Sequence, residues 1–177
     1  EKEKSNPLSR EDRAATPSPL GKIPCLVTDD GQSVFDSPVI MEYLDTVCDG
    51  PEMLPKSGDA RWTVLRRQAT ADGMIGSMVT CFVESLKKPE RQSGGVLAHN
   101  KGIVFNGIAA LEQEAASFGE TVDVGTISIA VALSFADQTF PEDDWRTDNP
   151  ALAAWFDAFD QRPSMTETVL VDAQSFE

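Results

Sequence analysis

Residues 127–136 read Ile-Ser-Ile-Ala-Val-Ala-Leu-Ser-Phe-Ala, ten positions without one charged side chain. A helix with no polar face has to be covered on all sides, so this run predicts a buried central helix. No apolar stretch of 18 residues exists anywhere in the chain, which removes the membrane-spanning alternative for such a segment. The neighbouring sequence supplies the cover. Residues 60–86 carry Trp62, Leu65, Ala69, Met78, Phe82 and Leu86 at helical spacing and end at Lys87-Lys88-Pro89. Gly73 and Gly76 inside that stretch predict a kink or a close helix contact. Residues 95–118 align Ile103, Gly107, Leu111 and Phe118, and a last helix opens with Asn149 as cap and Pro150 as first residue. It presents Leu152, Trp155, Phe156 and Phe159 and stops at Arg162-Pro163.

The first 50 residues read differently. Residues 1–20 are polar and hold Pro7, Pro17 and Pro19, with a short helix predicted after Ser9 and Asp12 in the position of a capping-box acid. Ile23–Val27 reads as a strand, Asp30-Gly31 as a hairpin turn, and Ser33–Phe35 as the returning strand. Ser37 is the predicted N-cap of the next helix and Pro38 its first residue. Val39, Ile40, Tyr43, Leu44 and Val47 form its apolar face, and Asp49-Gly50-Pro51 ends it. Residues 51–59, with two prolines and Gly58, read as a linker. The expected fold is therefore α+β: a small α/β domain over 1–50 and an all-helical domain over 60–177.

Charge and rare residues narrow the function. Among 177 residues, 15 Lys and Arg stand against 29 Asp and Glu, for a net charge of −14. Residues 1–59 hold 6 basic and 12 acidic side chains and residues 60–177 hold 9 and 17, so neither part is a basic module. That balance opposes binding to nucleic acid or to an anionic membrane. Cys25, Cys48 and Cys81 are odd in number and widely spaced, with no Cys-x-x-Cys pair; a disulfide framework is not expected, and a reducing, cytoplasmic setting fits better. His99 is the only histidine, which excludes a His-rich zinc site. No Gly-x-Ser-x-Gly elbow and no Gly-rich phosphate loop is present.

Several strings together resemble the glutathione S-transferase family of bacterial and fungal type. Pro19-Leu-Gly-Lys-Ile-Pro-Cys-Leu-Val27 resembles the family's segment through its third strand, and Asp30-Gly31 matches the hairpin turn. Phe35-Asp-Ser-Pro-Val-Ile-Met-Glu-Tyr-Leu44 is similar to the fourth strand and third helix. The stretch from Arg61-Trp62 to Asp72 resembles the opening of the helical domain, and Trp145 to Trp155 with Arg162-Pro-Ser164 resembles its closing helix. The resemblance implies a partial thioredoxin-like N-terminal domain followed by the family's all-helical C-terminal domain. Family members begin with strand, helix and strand, and their catalytic Tyr, Ser or Cys lies near the end of the first strand. Glu1 falls near the end of the second strand, so the catalytic residue has no match here, and residues 1–177 alone are expected to conjugate little. At the start of the buried helix the family carries Ser or Thr, two residues, then Asp. Gly125-Thr-Ile-Ser128 lacks that acid, so the standard reciprocal cap is not expected; Thr126 or Asp123 is the substitute cap, and the loss is about 1 kcal/mol.

The resemblance also implies site residues. Pro24 is expected to follow a cis bond, turning the Ile23 backbone toward the cysteinyl part of glutathione. Ser37 and the helix end take the γ-glutamyl carboxylate, a role suited to a helix N-terminus. Asp36 helps to hold the ammonium, and Lys22 lies where the glycyl carboxylate is bound. Cys25 reads as a small apolar strand residue, Tyr43 as core, Arg66 and Arg67 as a solvated helix face, His99 as exposed, and Trp62 and Trp155 as core anchors. Met74, Ile75 and Met78 read equally as core or as the apolar side of a substrate cleft. Two functional classes remain open: a homodimeric, cytoplasmic transferase that presents glutathione thiolate to small hydrophobic electrophiles in detoxification, and a non-catalytic glutathione-transferase-like binding or structural protein. Glutathione is the expected cosubstrate, and no metal is expected.

Overall fold

The computed structural model describes Asn6 and residues 9–169. The chain divides into two compact units after Leu54. In the first unit, α1 (Arg10–Ala15) starts at Ser9, whose hydroxyl accepts the Asp12 amide at 3.2 Å. Asp12 in turn accepts the Asn6 amide at 2.7 Å, so its carboxylate ties down the incoming chain as well as the helix start. β1 (Leu26–Val27) and β2 (Ser33–Val34) form an antiparallel pair with Leu26 opposite Val34 and Val27 opposite Ser33. The strands are shorter than the sequence predicts, because Pro24 has no amide to donate to a ladder. The loop closes with Gly31 at φ 84, the left-handed position that the Asp30-Gly31 pair foretells. α2 (Ser37–Val47) follows directly. Its N-cap is Asp36, not Ser37, and neither α2 nor its apolar face holds a buried residue; Val47 is 55% exposed. Asp45 accepts the amides of Met53 and Leu54 at 2.6 and 3.3 Å and so fixes the exit of the unit.

The second unit is helical. α3 (Gly58–Ser85) packs along both α4 (Gly94–Glu114) and α5 (Val124–Thr139). Then come α6 (Trp145–Asp148), α7 (Pro150–Phe159), which packs on α4 and α5, and α8 (Pro163–Thr166). α5 is the central helix that the apolar run predicts: Ile129, Ala130, Ala132 and Leu133 are fully buried. Its N-terminus corrects the sequence reading. Asp123 accepts the Thr126 amide at 2.8 Å while the Thr126 hydroxyl accepts the Asp123 amide at 3.0 Å. The reciprocal cap is therefore present with the acid at the N-cap and the threonine three residues on, the reverse of the expected order.

The buried faces of α3 and α4 also differ from the predicted stripes. α3 turns Val64, Arg67, Gln68, Ala71, Met74, Met78 and Cys81 inward and leaves Trp62 66% exposed, so Trp62 is not a core anchor. α4 buries Val104, Ile108 and Leu111, one position on from Ile103 and Gly107. The close contacts lie at other glycines than expected. A Cβ at Gly73 or Gly76 would meet open space, whereas one at Gly107 would fall 2.7 Å from Met74 Sδ. One at Gly125 would fall 2.9 Å from the Val64 carbonyl oxygen, a backbone atom that cannot swing aside. Trp155 packs edge-on against the fully buried Phe118 at 4.9 Å, as an anchor should.

Two acids at the end of α4 join the unit together. Glu112 accepts the amides of Ala151 and Leu152 at 3.1 and 2.7 Å, capping α7 from another helix. Asn149, the predicted cap, donates instead to the Trp145 carbonyl at 2.7 Å. Glu114 accepts both Arg66 and Arg67. Arg67 is 6% exposed, donates to the Ser117 hydroxyl at 2.7 Å and stacks 4.5 Å from the Phe118 ring centroid, so it belongs to the core and not to a solvated face. Near α6, Asp137 accepts Trp145 Nε1 and both guanidinium nitrogens of Arg146, each at 2.7 Å.

Glu112→Ala leaves two helix-start amides without their acceptor and is expected to cost about 1 kcal/mol, read from urea melts, with Glu112→Gln losing less. Hydrogen bonds from Arg66 hold the Glu114 carboxyl below its ordinary value of 4.5. A carboxyl lowered on folding stabilises the protein above its unfolded pKa, and the contribution is lost as pH falls through the lowered value. The stability gap between wild type and Glu114→Gln should therefore be full at neutral pH and shrink once pH drops below 4.5; a gap independent of pH would show that the ion pair adds nothing.

Candidate active site

The residues that the sequence singles out converge at one end of the first unit's hairpin. Leu26 pairs with Val34 at the open end of the hairpin; Ile23 and Pro24 lie just before β1 in the chain, and Asp36 and Ser37 just after β2. The Ile23–Pro24 bond is cis, as the resemblance implies; Phe35–Asp36 is cis as well. Lys22, Ile23 and Pro24 are exposed, and so is Asp36, while Ser37 is half-buried. Polar and backbone groups are thus available to a ligand on the same edge.

The start of α2 gives this edge its chemistry. Asp36 is the N-cap with extended backbone, and its carbonyl accepts the first helical bond from the Ile40 amide at 3.0 Å. Its side chain makes no capping hydrogen bond. Ser37 is the first helical residue and Pro38 the second, so the amides of Ser37 and Val39 stand at the unsatisfied end of the helix. Unpaired amides and the helix field favour a carboxylate there, and the Ser37 hydroxyl adds one donor. An acidic side chain one residue away is suited to an ammonium group. The pair therefore offers complementary partners for an amino-acid head group.

Other candidates fall elsewhere. Cys25 is half-buried, Cys48 exposed and Cys81 buried. Burial pushes the Cys81 thiol up, with Lys101 acting weakly against it, so Cys81 stays protonated and unsuited to attack. Tyr43 is half-buried on α2, and His99 is exposed. Met74 and Met78 are fully enclosed in the helical core, which removes them from any cleft lining; Ile75 packs at its margin. Arg67 and Glu112 escape a sequence reading because their partners lie 47 and 40 residues away. Among the described residues, no group of three or more His, Cys, Asp or Glu side chains is placed to hold a metal, and no helix is long and apolar enough to cross a membrane.

Known proteins share this layout. The pattern of the glutathione S-transferase N-terminal domain matches residues 3–47, and that of the glutathione S-transferase C-terminal domain matches residues 95–158. The chain is 28% identical over 165 residues to the uncharacterized GST-like protein YibF of Escherichia coli K12, covering 92% of this chain and 82% of the relative. It is 36% identical to a glutathione transferase family member from Pseudomonas fluorescens Pf-5 solved with bound glutathione, at a TM-score of 0.90 over 96% of this chain and 84% of that one. A structure of a Pseudomonas fluorescens Pf-5 family member with bound S-(propanoic acid)-glutathione is 39% identical, at a TM-score of 0.83 over 87% of this chain and 80% of that one. The hairpin unit thus corresponds to the thioredoxin-like N-terminal lobe, and the helical unit to the all-helical C-terminal lobe. With both lobes matched in order and 36% identity to a protein of which it spans 84%, this chain belongs to the glutathione S-transferase family.

Proposed function

We propose that this protein is a glutathione S-transferase that binds glutathione along the hairpin edge at the start of α2 and presents its thiolate to small electrophiles. The observation that supports the reading is the antiparallel β1–β2 pairing, with Ile23–Pro24 just before its first strand and Asp36–Ser37 just after its second. Bound glutathione and a bound glutathione conjugate in Pseudomonas fluorescens relatives support it. In this assignment the Ile23 backbone pairs with the cysteinyl residue as an added strand would. Ser37 and the first amides of α2 take the γ-glutamyl carboxylate, Asp36 takes the ammonium, and Lys22 faces the glycyl carboxylate. The catalytic gain would come from favouring the thiolate, which is the nucleophilic form. No residue of this chain is assigned to that step.

A thiol-conjugation assay with a halogenated nitrobenzene, run beside calorimetric titration with glutathione, tests both halves of the proposal. Binding with turnover supports the transferase; binding without turnover supports the glutathione site alone, and no binding overturns the proposed site and leaves the structural alternative. Ser37 gives a sharper test, because it is not the N-cap of α2. Removing its hydroxyl should leave stability within about 0.5 kcal/mol. A hydrogen bond to a charged group contributes roughly 1.5–3 kcal/mol, so Ser37→Ala is expected to weaken glutathione binding about tenfold or more. Unchanged affinity in Ser37→Ala would take Ser37 out of the site.

We also propose a homodimer. Trp62, Val79 and Val83 lie exposed on α3, and Val39, Leu44 and Val47 on α2, which is more apolar side chain than solvent favours on two helices. Light scattering at micromolar concentration should return about twice the chain mass of 19.2 kDa; a mass equal to one chain would overturn the dimer.

A further inference from the structure

We draw no further inference here: the strongest candidate, the exposed apolar surface patch of α3 that carries Val79 and Val83, has nothing in the structure to show what covers it beyond the second copy already proposed.

Discussion

The seating of α5 on α3 is the contact on which the helical unit depends. The first turn of α5 comes so close that only a hydrogen fits on the Gly125 Cα, with the Val64 carbonyl and Arg67 Cβ in the way of anything larger. Such an approach brings the helix end into the interior, where its free amides would be costly. The Asp123–Thr126 cap answers that cost, and both residues are buried. Close approach and capping thus support each other: the glycine allows the contact, and the cap lets the helix end remain dry. Leu133 on α5 and the α7 aromatics Phe156 and Phe159 share one buried core, so their packing depends on that seat.

A second layer of organisation is electrostatic and comes from α4. Glu112 reaches the start of α7, and Glu114 reaches two arginines on α3. Each acid replaces a local solution with a tertiary one. α7 has an asparagine in the cap position, yet its amides are satisfied by a glutamate from another helix. Arg67 is tolerated in the core because its guanidinium is paired with Glu114, bonded to Ser117 and stacked on Phe118. A buried charge without such partners would cost several kcal/mol. The ends of α3, α4 and α7 are thereby held to one another by groups that no single helix contains.

The open end of the hairpin follows from simpler physics. A hairpin of two residues per strand has little stability by itself, but it fixes a register, and the register brings two chemically different segments together. Pro24 is exposed and lies just ahead of β1, which begins at Leu26. Asp36 starts a helix with its carbonyl and leaves its side chain uncommitted. A helix end and an acid then follow one another in the chain, the pair to which the proposed function assigns the γ-glutamyl head group.

Local patterns were sufficient for the elements whose cause is local. The uncharged run at 127–136, the Asp30-Gly31 turn and the Ser9–Asp12 cap all appear where their residues place them, because each depends on neighbours within four positions. The family strings extended that reach to the order of the two lobes. Helix phase was less legible. The buried face of α3 includes Arg67, Gln68, Ser77 and Glu84, so apolar spacing alone finds Met78 but misassigns Trp62 to the core. At α5 the sequence offers Asp123 and Thr126 as substitute caps, but their reciprocity is not legible because Asp and Thr exchange the family's order. Partners more than 30 residues apart decided the rest: the Glu112 cap, the Arg67 pocket and the glycine contacts exist only once the helices are packed, since nothing in the sequence near any of these residues names the group it meets.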